Sequence, residues 1–125
     1  MQITLFLAAF LTVVTGIAHS VLGERYLLGP LFRREDLPAL SGSARYTARV
    51  MRLAWHVTSL AWLGLAAVLV LLARPALSTQ AIGLAIGATF LAHFAIALVA
   101  SRGRHLSWPL FLAIGVLAIS ATWGV

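Results

Sequence analysis

Four apolar runs, residues 3–22, 53–73, 81–100 and 106–124, contain no Asp, Glu or Arg. Each is close to the ~20 helical residues needed to cross a hydrocarbon core about 30 Å thick. Inside lipid the backbone must satisfy its own hydrogen bonds, so the spanning choices are helices or a closed barrel, and runs of this length fit helices. Composition agrees. The chain of 125 residues is 62% hydrophobic and 10% charged, with a mean hydropathy of +1.00, whereas a soluble domain carries about 25% charged residues. These features predict an all-α integral membrane four-helix bundle with antiparallel up-down topology. Residues 1–125 form a single membrane domain, with a cytoplasmic loop at 23–52.

Local punctuation supports the run boundaries. The second run ends at Arg74-Pro75, where proline opposes helical continuation. Ser78 or Thr79 is positioned to cap the third run. The fourth run has Ser107 and Pro109 near its start, as a cap and a first-turn proline. Gly16-Ile17-Ala18 has the small residues of a signal-peptide cleavage site, but no basic residue precedes the run, so the first run is read as a retained span.

The charges set direction. All nine basic residues are arginines. Arg25, Arg33, Arg34, Arg45, Arg49 and Arg52 lie between the first two runs, and Arg102 and Arg104 between the last two. The opposite side has Arg74. The positive-inside rule then places both termini on the non-cytoplasmic side of a bacterial inner membrane. The basic balance is assigned to topology and anionic lipid, not to nucleic acid. The chain has no cysteine, which excludes disulfides, thiolate metal sites and cysteine nucleophiles.

Alternating helix direction brings the four histidines to one side, one per run. With a rise of 1.5 Å per residue, His19 and His56 lie about 6 Å inside the cytoplasmic boundary, and His93 about 13 Å inside. His105 sits at the boundary as an interfacial residue. Thr15, Ser59 and Thr89 lie three or four positions from a histidine and share its helix face. Gly83 and Gly87 form a small-xxx-small pair that allows close helix approach. Buried ionisable groups in a membrane usually face a bundle interior or a wet cavity. His19, His56 and His93 are therefore the candidate cofactor contacts, and with Glu24 the candidate metal ligands. A transition metal, bis-histidine haem b between His19 and His56, and a quinone-like redox ligand all fit the pattern. The Glu-x-x-His pairs of di-iron proteins and the His-Glu-x-x-His of zinc proteases are absent. The bland reading makes the histidines interhelical hydrogen-bond partners.

Arg45, Arg49, Arg52 and His56 recur at spacings of four, three and four, hence on one helical stripe. Ser41 or Ser43 is placed to cap the helix that carries them. Arg49 and Arg52 are candidate holders of an anionic group on the ligand or of a lipid, and positive-inside anchoring is the plainer alternative. Before this stripe, Gly29-Pro30 and Leu37-Pro38 read as turns, and Arg33, Arg34, Glu35 and Asp36 as a solvated turn. Leu27, Leu28, Leu31 and Phe32 suit a lid over the cytoplasmic end. Tyr26, Trp55 and Trp108 suit one interfacial belt and Trp123 the other, while Trp62 suits packing or a lipid-facing position.

The string His19-Ser-Val-Leu-Gly-Glu24, followed by Trp55-His56 and a later His93, resembles small uncharacterised four-span bacterial integral membrane proteins. That resemblance covers most of the chain and implies no activity. The membrane-embedded glutamate of small multidrug transporters is missing from the first span, and so is the glycine-rich arginine motif of fluoride channels. The expected function is a histidine-lined site in the cytoplasmic half that binds a metal, haem or quinone-like redox ligand. Competing expectations are a non-catalytic subunit or assembly factor of a larger membrane complex, and an anion or proton-coupled transporter acting as a homo-oligomer.

Overall fold

The computed structural model describes residues 1–39 and 43–123. Among these the chain forms four helices and no strands: α1 (Gln2–Leu22), α2 (Ala44–Leu72), α3 (Thr79–Ser101) and α4 (Ser107–Thr122). The first three are long and apolar enough to cross a membrane. α4 is equally apolar but has 16 residues, a length of about 24 Å.

Helix ends follow from identifiable groups. The Ser43 hydroxyl accepts the Tyr46 N–H at 3.3 Å and starts α2 nine residues before the expected span, so the arginine stripe is helical. Ser41 lies outside the described residues. The Ser78 hydroxyl accepts the Ala81 N–H at 3.1 Å and starts α3. α4 departs from expectation: Ser107 is its first helical residue, not its cap. The Ser107 N–H instead donates to His105 Nδ1 at 3.3 Å, so an imidazole takes the role given to a hydroxyl. At the end of α3, Arg102 adopts φ 53° and Gly103 φ 74°, the left-handed stop that glycine tolerates best.

The end of α1 also differs from the sequence expectation. The helix does not turn at Gly29-Pro30 but continues through a π-helical turn, Gly23–Leu28, into a short α-turn, Gly29–Leu31. A proline in a regular helix lacks one N–H and its ring meets the carbonyl four residues back. The wider π turn, in which the Gly29 N–H reaches Glu24 O, accommodates that ring.

Each helix packs on its neighbour in chain order, α1 on α2, α2 on α3 and α3 on α4, and among the described residues α1 meets neither α3 nor α4. Small residues make these seams. Gly16 faces Ser59 and Trp62, Gly23 faces Trp55, and Gly64 faces Thr89. Between α3 and α4, a Cβ on Gly87 would lie 2.9 Å from Gly115 O, and one on Gly115 would lie 3.1 Å from Gly87 O. Only glycine permits that backbone approach. The Gly83–Gly87 pair thus serves the α3–α4 seam, with Gly83 against Thr122, and not the histidines. The buried set is mostly small (Ala9, Ala66, Ala73 and Ala97), while Phe6, Phe10, Leu65 and Leu110 are exposed. Such packing suits lipid, where close backbone approach rather than water exclusion draws helices together.

Candidate functional site

α1 and the π turn after it present Gly16, Ser20, Gly23 and Glu24 towards α2, which answers with Trp62, Ser59, Trp55, His56 and Arg52. Across this seam runs an unbroken chain of polar atoms. The Arg52 guanidinium donates to Glu24 through both carboxylate oxygens, at 2.7 and 3.2 Å. Glu24 Oε2 lies 3.4 Å from His56 Nε2. His56 Nδ1 lies 2.9 Å from the Ser20 hydroxyl, and Ser20 donates to the Ser59 hydroxyl at 2.9 Å. Ser59 in turn lies 3.0 Å from His19 Nδ1. Buried polar groups are costly when unpaired, and here each hydroxyl and ring Nδ1 atom has a partner. Among the described residues no buried side-chain nitrogen or oxygen is without one.

Two tryptophans fix the His19 ring. Trp55 stacks on it at 4.2 Å and 5°, while its Nε1–H donates to His19 O at 3.0 Å. Trp62 tilts against the ring at 5.1 Å. Trp55 is therefore a structural partner of His19, not simply an interfacial anchor. His19 Nε2 has no protein partner among the described residues. The ring lines an apolar recess of about 430 Å³ with Leu27, Leu28, Leu31, Met51 and Trp55. Leu28 is buried, and Leu27, Leu28 and Leu31 share the lining of this recess with His19.

His93 stands apart. It is 4% exposed, with Nδ1 2.7 Å from Thr89 O and Nε2 3.0 Å from Val57 O. Both nitrogens face carbonyl oxygens on α3 and α2, and Phe90 and Phe111 enclose the ring. The hydroxyls of Thr15 and Thr89, expected beside histidines, bond the carbonyls of Leu11 and Ala85 instead. Among the described residues no three His, Asp or Glu side chains gather as a metal would need. His19 and His56 are linked, His56 and Glu24 are linked, and His93 joins neither pair. His105 pairs with the Ser107 hydroxyl at 2.7 Å.

The arginine stripe divides. Arg52 turns to Glu24 and passes over the Phe32 ring at 4.9 Å. Arg49 lines a recess of about 480 Å³ with Arg52, His56, Ile96 and Arg102, between α2 and α3. Arg45 lines a cavity of about 720 Å³ with Arg25, Arg33, Arg34 and Arg52. In the loop, Arg34 grips Asp36 through two bonds of 2.7 and 2.8 Å, and this guanidinium holds the Asp36 carboxyl below the usual carboxylate range.

Same-helix spacing does not reveal Ser20 or the linking role of Ser59, because both find their partners across the seam between two helices. The stripe 16–20–23, two glycines around a serine, is the available signal: small residues mark the face that meets another helix. No protein-family model, curated protein or solved structure matches this chain.

Proposed function

We propose that this chain is a four-span, up-down protein of the bacterial inner membrane that holds a quinone-like ligand against His19 and exchanges protons with it. The observation that carries this reading is the polar chain Glu24–His56–Ser20–Ser59–His19, which ends beside an apolar recess. Opposite directions of the packed helices are supported by the pairing of partners. Gly16, Ser20 and Glu24 ascend as Trp62, Ser59 and Arg52 descend.

The donor pattern suits proton transfer. With His56 doubly protonated, Nε2–H points at Glu24 and Nδ1–H donates to Ser20, whose hydroxyl donates to Ser59 and that one to His19 Nδ1. A concerted shift leaves His56 neutral, with its remaining N–H on Glu24. It reverses the two hydroxyls and leaves His19 with protons on both nitrogens. When the Nε2–H proton passes to a ligand oxygen, His19 is left neutral with its remaining proton on Nδ1. Return of a proton from the ligand to Nε2 restores the doubly protonated ring, and the reverse shift then carries one proton back to His56. Arg52 holds the Glu24 carboxylate in place.

Of the expected ligands, the quinone-like one fits this arrangement best. Ser20 and Ser59 link the Nδ1 atoms of His19 and His56 by hydrogen bonds, and both His93 nitrogens face carbonyl oxygens. Purified protein tests the reading by organic extraction, a visible spectrum and elemental analysis for iron, copper and zinc. The expected result is a colourless, metal-free protein that carries an extractable carbonyl-bearing apolar molecule, lost in His19→Ala. A Soret band lost in the same variant would replace quinone with haem. Empty protein, with His→Ala variants of unaltered stability, would overturn the ligand reading and favour a non-catalytic subunit.

A further inference from the structure

We propose that the cavity between the 29–37 segment and the first turns of α2 is a binding site for a phosphate-bearing anion. Five arginines line it, Arg25, Arg33, Arg34, Arg45 and Arg52, against one carboxylate, Glu24. Two of the five are already compensated, Arg52 by Glu24 and Arg34 by Asp36. Arg25 lies over the Tyr26 ring at 5.4 Å. The side chains of Arg33 and Arg45 have no hydrogen bond or ion pair among the described residues. The unbalanced cations come from three separate elements: the π turn, the segment after it, and α2. Like charges gathered in one recess repel, and a shared anion removes that cost. Guanidinium forks match phosphate, whose several oxygens can be gripped by more than one arginine at once.

Size and place narrow the ligand further. A volume of about 720 Å³ exceeds what a single small ion fills and lies in the range of about 300–1,000 Å³ typical of organic-ligand sites. Phe32, Pro30 and Leu37 supply apolar wall beside the arginines. The cavity opens where the apolar spans end, so a phospholipid headgroup and a soluble phosphate compound can both reach it. The shared chemistry is the phosphate group. The site is separate from the His19 recess and does not rest on the proton-transfer reading.

The full chain, purified in neutral detergent and reconstituted in nanodiscs, separates the sources. In the lipid arm, retention of phosphatidylglycerol is compared with phosphatidylcholine by native mass spectrometry. In the soluble arm, inorganic phosphate and pyrophosphate are titrated into delipidated protein by calorimetry. Phosphatidylglycerol retained about tenfold over phosphatidylcholine, a factor equal to about 1.4 kcal/mol, and not displaced by pyrophosphate, assigns the site to lipid. Pyrophosphate binding that displaces the lipid assigns it to a soluble phosphate compound. In either case Arg33→Gln with Arg45→Gln should abolish the preference, and Arg33→Lys with Arg45→Lys should retain part of it. Arg74→Gln, which removes equal charge per site elsewhere, should leave it intact, as should His19→Ala. Should the glutamine pair fail to fold, the lysine pair carries the test. No preference in either arm, or an equal loss with Arg74→Gln, overturns the proposal.

Discussion

His19 is held on two sides and at one nitrogen: Trp55 lies flat on the ring, Trp62 leans on it, and Ser59 meets Nδ1. That leaves Nε2 as the ring atom free to act. The arrangement depends on Gly23, where a Cβ would overlap the Trp55 indole. Gly23→Ala should therefore push Trp55 off the histidine, destabilise by about 1–3 kcal/mol as overpacking does, and shift the tryptophan emission. Thermal unfolding and fluorescence in detergent check this, and an unchanged spectrum would contradict it. Ser59 is the joint of the polar chain, since it meets both Ser20 and His19. In a double-mutant cycle, Ser59→Ala and Ser20→Ala should be non-additive by about 0.5–3 kcal/mol; independent effects would mean the hydroxyls do not form one network. In the loop, the Asp36 carboxyl is held low by Arg34. Its folded value lies below its unfolded one, so the fork is present above the unfolded value and is lost as pH falls through the folded one. A carboxyl carbon titration of Asp36 should show a depressed midpoint that returns to normal in Arg34→Gln.

At the scale of elements, the seams are built by glycine and the ends by caps. The α3–α4 seam brings Gly87 and Gly115 within backbone contact. Gly87→Val should part these helices and cost about 1–3 kcal/mol, visible as a lower Tm. Ala121→Val, at an exposed position, should be nearly silent. The arginine stripe was readable from its spacing of four, three and four, and the Ser43 cap was readable from residue type. What the stripe faces was not readable. One helical row delivers Arg45 to one cavity, Arg52 to Glu24 and Arg49 to another recess, because long side chains diverge once neighbours supply different partners. The π turn was also hidden. Gly29-Pro30 usually marks a turn, but the carbonyls freed by proline are absorbed here by one wider helical turn.

At the scale of the whole molecule, the four helices form a row in chain order and their large apolar side chains face outward. The up-down reading with outward termini predicts that a periplasm-active reporter fused at the C-terminus is active and a cytoplasm-active one silent. The reverse result would invert the orientation and place the arginines outside. Apolar run length and charge position were enough to foresee four helices and a basic end, because the thickness of hydrocarbon and the cost of charge within it act on any sequence alike. They were also enough to bring His19 and His56 to the same level. They could not pair Ser20 with His56, set Trp55 on His19 or send His93 to its own carbonyls. Those partnerships depend on helix rotation and on gaps of a few ångströms, which small residues far apart in the chain create only when the helices meet.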